Sequence, residues 1–185
     1  LATVAMAAPE ELDGTRERLG VLASAEVYAS SVREIKNIGT GAFGSALLVE
    51  VVATKEKFVA KKITLEHLTE TDREKALNEA SLLRSLRHPN ILQFIGGSWN
   101  LEDVNVCAVL EYCERGTLTG LLEEEPILSW PKHKLPIAAG IARGMAHLHG
   151  QQPPVLHRDL KPDNVLLDIG FTAKLADFGV ARESD

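Results

Sequence analysis

The stretch HRDLKPDN, residues 157–164, is followed directly by VLL and then, thirteen residues past Asn164, by DFG at 177–179. A charged run of this kind is ordinarily a solvated turn. Here apolar PPVL precedes it and VLL follows it, so it reads as a loop held between buried strands. That placement brings three oxygen-bearing side chains, Asp159, Asn164 and Asp177, within reach of one cleft. A few hard oxygen ligands, completed by water and phosphate oxygens, are the set that Mg²⁺ prefers.

Upstream, Gly39, Gly41 and Gly44 spell G-x-G-x-x-G between VREIKNI and SALLVEVVA. In dinucleotide-binding folds such glycines open a helix whose N-terminus holds a pyrophosphate. SALLVEVVA has the β-branched and aliphatic content of a strand, so that helix terminus is not available. The glycines are therefore read as a β-turn lid whose backbone N–H groups lie over phosphates, with an ordinary Gly-rich hairpin as the alternative. Phe43, at the tip, would shield those phosphates from water.

The next strand, FVAKKI, ends in the doublet Lys61–Lys62. Thr71 and Glu74 fit a capping box, and Ala76, Leu77, Ala80, Leu83 and Leu86 recur at helical spacing behind it. Glu79 lies beside that stripe and is expected to face inward. A buried carboxylate left unpaired costs several kcal/mol, so it needs a cationic partner. A strand lysine paired to Glu79 would be held rigid, with its ammonium presented to phosphate oxygens. Spacing from Gly44 and from Glu79 favours Lys61, and Lys62 stays open as the alternative.

Beyond the helix, which should stop before His88–Pro89, ILQFIGGSW and NVCAVLEYC read as two more strands. Gly116 precedes a short acidic helix around Leu118–Glu125. Another helix begins with Pro136 in its first turn; Ile137, Ile141, Met145 and Leu148 form its stripe, and Gly140 and Gly144 allow close packing. Five strands with one inserted helix, followed by helices, predict a two-part α+β architecture.

The composition agrees: 185 residues, 45% hydrophobic, 25% charged, net charge −6. Apolar content this high excludes a disordered chain, and the acidic balance argues against a nucleic-acid-coating surface. Two cysteines, Cys107 and Cys113, make neither a disulfide framework nor a structural zinc site, so a reducing, cytoplasmic setting is expected. No apolar run has the roughly 18 residues of a membrane span.

From about Val32 to Asp185, five motifs stand in the order and at the spacing of one family, and the sequence resembles the eukaryotic protein kinase domain. The resemblance implies a bilobal α+β fold. A lead-in (1–31) would precede a five-stranded antiparallel small lobe with one helix (32–113) and the first part of a helical large lobe (114–185). It implies ATP and Mg²⁺ as cofactors. Ile38, Gly39, Gly41, Phe43, Gly44 and Ala46 would cover the nucleotide, Val59 and Leu166 would sandwich adenine, and Glu111 and Cys113 would offer it backbone groups behind a Leu110 gatekeeper. Lys61 would hold the α- and β-phosphates with Glu79 as partner. Asp159 would be the base and Lys161 would steady the transferred phosphoryl, while Asn164 and Asp177 would bind the metal. Leu83, His157 and Phe178 look like parts of a hydrophobic spine. Two positions depart from the pattern: Ala46 stands where valine is usual, and Val59 where alanine is usual.

DLKPDN resembles serine/threonine kinases, and IARGMAHLHGQQPPVLHRDLK with LSW resembles the tyrosine-kinase-like group. The implied function is transfer of the ATP γ-phosphoryl to a serine or threonine hydroxyl of a protein substrate. A nucleotide-binding, pseudokinase-like signalling module remains as the alternative. The sequence ends six residues past Gly179, ahead of the activation segment and A-P-E motif that the family carries. The expectation is a fragment of a catalytic domain, inactive by itself.

Overall fold

A computed structural model describes residues 32–41, 44–64, 69–100, 105–125 and 128–183. The expected lead-in (1–31) and Phe43 lie outside them. The chain divides into two compact units, Leu1–Ala76 with Phe94–Tyr112, and Leu77–Gln93 with Cys113–Asp185.

The first unit is built on a five-stranded antiparallel sheet in the order β1-β2-β3-β5-β4. Its strands are β1 (Val32–Gly41), β2 (Gly44–Val51), β3 (Lys57–Thr64), β4 (Phe94–Asn100) and β5 (Asn105–Glu111). Strand side chains alternate between faces, and Val49, Val51, Phe58, Ala60 and Val109 bury one face as a core. The register sets a different row on the other face. Ala46, Lys61 and Ala108 stand abreast, as do Leu48, Val59 and Leu110. In β1 the register slips between Glu34 and Lys36 and again between Asn37 and Gly39.

Helix α1 (Glu70–Ser85) starts earlier than the sequence predicts. Thr69, not Thr71, is the capping residue: its Oγ1 accepts from the Asp72 N–H at 3.2 Å and donates to the Asp72 carboxylate at 2.8 Å. Thr71 sits inside the first turn. The Asp72 carboxylate, three residues past the cap, accepts from the Thr69 hydroxyl rather than from its backbone N–H, a side-chain variant of the box that the sequence assigns to Thr71 and Glu74.

Strand β4 also differs, beginning at Phe94 rather than Ile91. Ile91 instead makes a parallel bridge to Leu175, and the Leu92 N–H donates to the Leu175 carbonyl at 2.9 Å. The anchor is Asn90, only 3% exposed. Its Nδ2 donates to the Ala173 carbonyl at 2.9 Å, its Oδ1 accepts from Arg143 Nε at 3.3 Å, and its own carbonyl accepts from the Leu175 N–H at 2.9 Å.

The rest of the second unit comprises α2 (Leu118–Glu124), α3 (Leu135–His149), and two small antiparallel pairs, β6 (Val155–Leu156) with β9 (Arg182–Glu183) and β7 (Val165–Leu167) with β8 (Ala173–Leu175). Thr117 Oγ1 caps α2 by accepting from the Gly120 N–H at 3.1 Å. Pro136 does lie in the first turn of α3, but a π-helical turn, Trp130–Lys134, leads into it. The buried face of α3 is Ile137, Gly140, Gly144 and Leu148; Ile141 and Met145 are only half-buried. A Cβ on Gly144 would sit 2.7 Å from the Asn90 carbonyl and 2.8 Å from Leu175 Cδ1, so the helix approaches the Asn90 segment closely only because that side chain is missing. Among the described residues no helix is long and apolar enough to cross a membrane.

Candidate active site

The loop that opens with His157 is built inward from a buried ring. His157 is 1% exposed; its Nε2 lies 3.1 Å from the Ala176 carbonyl, and its Nδ1 is 3.4 Å from the Asp159 N–H. A neutral imidazole protonated on Nε2 satisfies both contacts. Its ring packs at 5.0 Å from that of Phe178, itself 1% exposed. Arg158, between His157 and Asp159, has φ +66° and is exposed, a conformation L-residues rarely take and one that turns the chain sharply after the anchored histidine.

Two donors then converge on one oxygen of Asp159. Lys161 Nζ donates to Oδ2 at 2.7 Å and Asn164 Nδ2 donates to the same atom at 2.8 Å. Asn164 Nδ2 also donates to the Asp159 backbone carbonyl at 2.9 Å. The spacing D-x-K-x-x-N makes this possible, because a 3₁₀ turn over Pro162–Asn164 folds the asparagine back onto the aspartate. The Lys161 ammonium, helped by the Asn164 amide, holds the Asp159 carboxyl below the usual carboxylate range, against a smaller desolvation effect. Asp159 in turn raises the Lys161 ammonium.

Asn164 is 6% exposed, and its backbone carbonyl accepts from the Ala176 N–H at 2.9 Å. Ala176 thus holds both His157 and Asn164 through main-chain groups, which no side-chain pattern announces. Two acceptors facing Asn164 Nδ2 fix which end of the amide is nitrogen and turn Oδ1 away from them. Asp177, exposed and at φ +62°, accepts from the Gly179 N–H at 3.3 Å. An amide oxygen and a carboxylate are hard donors, the chemistry that suits Mg²⁺. Glu79 is buried, 8% exposed, as the helix pattern predicts. A Cβ on Gly179 would stand 3.8 Å from Glu79 Oε2, an ordinary contact distance that places the glycine beside that carboxylate.

In the first unit the structure separates the two lysines. Lys61 is half-buried and shares its face with Ala46 and Val59; Lys62 points to the other face, is exposed, and pairs with Glu34 of β1 across the intervening β2. In the glycine hairpin Gly39 stands opposite Ala46, and Gly41 opposite Gly44. Ile38 is 41% exposed at a register slip. Leu110 is buried opposite Val59, and Glu111 is half-buried at the end of β5. In the second unit Cys113 is buried, and half-buried Leu166 bridges to Thr117.

The description of the protein kinase domain fits residues 32–185, which includes every residue of this arrangement. The chain belongs to the protein kinase family. It is similar to the serine/threonine-protein kinase CTR1 of Arabidopsis thaliana, 36% identical over 150 residues, an alignment covering 80% of this chain and 18% of CTR1. It is also similar to the wall-associated receptor kinase-like 21 of Arabidopsis thaliana, 38% identical over 161 residues, covering 85% of this chain and 25% of that protein. The chain thus spans a quarter or less of the length of these two relatives. The protein kinase fold accounts for the five-stranded antiparallel sheet and the helices that follow it.

Proposed function

We propose that this kinase transfers the γ-phosphoryl group of Mg-ATP to a serine or threonine hydroxyl of a protein substrate in an intracellular, reducing compartment. The observation that carries this is the convergence of Lys161 and Asn164 on Oδ2 of Asp159. It fixes the carboxylate, keeps it ionised, and leaves Oδ1 as the oxygen that neither donor engages. Asp159 Oδ1 then orients the substrate hydroxyl and accepts its proton as the phosphoryl bond forms. Lys161, two residues on, steadies the charge of the group in transfer.

Asn164 Oδ1 and the Asp177 carboxylate would hold Mg²⁺, which when bound supplies positive charge against the phosphate oxygens. Lys61 contacts the α- and β-phosphates with Glu79 as its partner. The glycine hairpin from Ile38 to Ala46 covers the nucleotide, Val59 and Leu166 enclose adenine, and Glu111 and Cys113 give it backbone hydrogen bonds. The sheet register supports the choice of Lys61, since it shares a face with Ala46 and Val59 while Lys62 is engaged by Glu34 on the other.

Comparing Lys61→Ala with Lys62→Ala in a phosphoryl-transfer assay tests the assignment. Lys61→Ala should lower turnover by about a hundred-fold or more, the scale of losing one charge-stabilising group. Lys62→Ala should stay within about five-fold, because an exposed ion pair contributes at most about 1 kcal/mol. The reverse result would move the phosphate contact to Lys62.

A further inference from the structure

Phe171 sits in the turn between β7 and β8 with φ +63°, a backbone conformation that a bulky residue rarely adopts. Asp168 Oδ1 holds that turn by accepting from the Gly170 and Thr172 N–H groups at 2.9 and 2.8 Å. The Arg115 guanidinium lies over the Phe171 ring, 3.7 Å from its centroid. His133, from the π-helical turn, approaches the same ring at 4.8 Å. The buried His133 Nδ1 has no hydrogen-bond partner among the described residues.

Arg115 does more than stack. Its Nε donates to the Ile169 carbonyl at 3.1 Å, and the Ile169 N–H donates to Glu114 Oε2 at 3.0 Å. Two adjacent residues thereby grip the tip of a turn more than fifty positions away in the chain. The same segment is laced along β7: the Arg115 N–H donates to the Leu167 carbonyl at 3.1 Å, the Leu167 N–H to the Gly116 carbonyl at 2.9 Å, and Thr117 bridges to Leu166. The Gly116 N–H donates back to the Cys113 carbonyl at 3.1 Å. Backbone pairing of this kind leaves register weakly specified in a short pair, and a side-chain clamp at its end specifies it.

We infer that Arg115, seated on Phe171, is a positioning residue for the nucleotide: it sets the register of residues 113–117 on β7, and with it the spacing of Cys113 and Leu166, a role that rests on the ATP-dependent function proposed above. Arginine is required because its planar fork donates along one edge while stacking on an aromatic face, which a lysine ammonium does not do.

Steady-state kinetics of the native kinase chain, continued through the activation segment and A-P-E motif, and of its variants, with ATP varied at saturating protein substrate, test this. Arg115→Ala should raise KM for ATP by about ten-fold, the size expected for losing a cation–π contact together with a hydrogen bond, and Phe171→Leu by about three- to five-fold for the cation–π contact alone, while kcat stays within about two-fold in each. Phe171→Tyr should restore the native KM, and Arg115→Lys should not. If Arg115→Ala does not fold, the Phe171→Leu and Phe171→Tyr pair makes the same comparison. An unchanged KM in Phe171→Leu, with only the Tm lowered, would overturn the inference and leave a structural clamp. Absence of ATP-dependent turnover in the native protein, seen before any variant is made, would remove the ATP-dependent function and this role with it.

Discussion

Asp159 owes its electrostatic state to residues two and five positions along the chain, Lys161 and Asn164, rather than to burial. Its carboxyl is depressed in the folded protein, so the ionised form persists below the pH at which an ordinary aspartate would protonate, and the stabilisation is lost only as pH falls through that lowered value. Lys161→Met removes the largest cause of the depression. The acid limb of the kcat/KM profile should then move to higher pH, as the carboxyl returns toward its usual range, whatever happens to the height of the profile; a limb that does not move would show that Lys161 does not set the charge of Asp159. This pairing is close to legible in the sequence, because D-x-K-x-x-N is local. The choice between Lys61 and Lys62 is not, since two identical neighbours differ only in the sheet face they take, and that face follows from pairing with β2 and β5 far along the chain.

At the scale of elements, the periodic segments could be read and their ends could not. The helix at 70–85 shows in its spacing, yet its cap is Thr69 because Asp72 answers it; Thr71 offered an equally good pattern two residues later. Strand β4 loses Ile91 and Leu92 to the Asn90 anchor, whose amide reaches Ala173 across 83 positions, a contact that no local pattern contains. The π-helical turn before α3 is equally silent in the sequence; Pro131 and Pro136 mark an irregular start without giving its form. The paired glycines of α3, by contrast, were readable. In an open helix Gly144→Ala would stabilise by about 1 kcal/mol. Here the added methyl would meet the Asn90 carbonyl and Leu175, so the substitution should instead destabilise by about 1–3 kcal/mol, measured as a lower midpoint in denaturant titration. A raised midpoint would mean that the Asn90 segment gives way at little cost.

Across the whole molecule, each unit draws on two separate stretches of chain, and the residues proposed for the reaction occur in both. The glycine hairpin, Val59 and Lys61 belong to the sheet unit, whereas Glu79 and the loop from His157 to Gly179 belong to the other. Such a division is hard to read from sequence, because residues 77–93 join the second unit through long-range backbone hydrogen bonds rather than through any change in composition. Family membership was nevertheless legible, since the motifs are compact and their order is fixed. The proposed phosphoryl transfer turns on Asp159. Incorporation of labelled γ-phosphate from ATP into a serine- or threonine-containing protein, compared between a native kinase chain that continues through the activation segment and A-P-E motif and its Asp159→Ala variant, tests it most directly. Transfer by the native protein that falls by at least about a thousand-fold in the variant, with ATP binding retained, is the predicted result. Transfer that survives Asp159→Ala, or a native protein that binds ATP without turning it over, would contradict it.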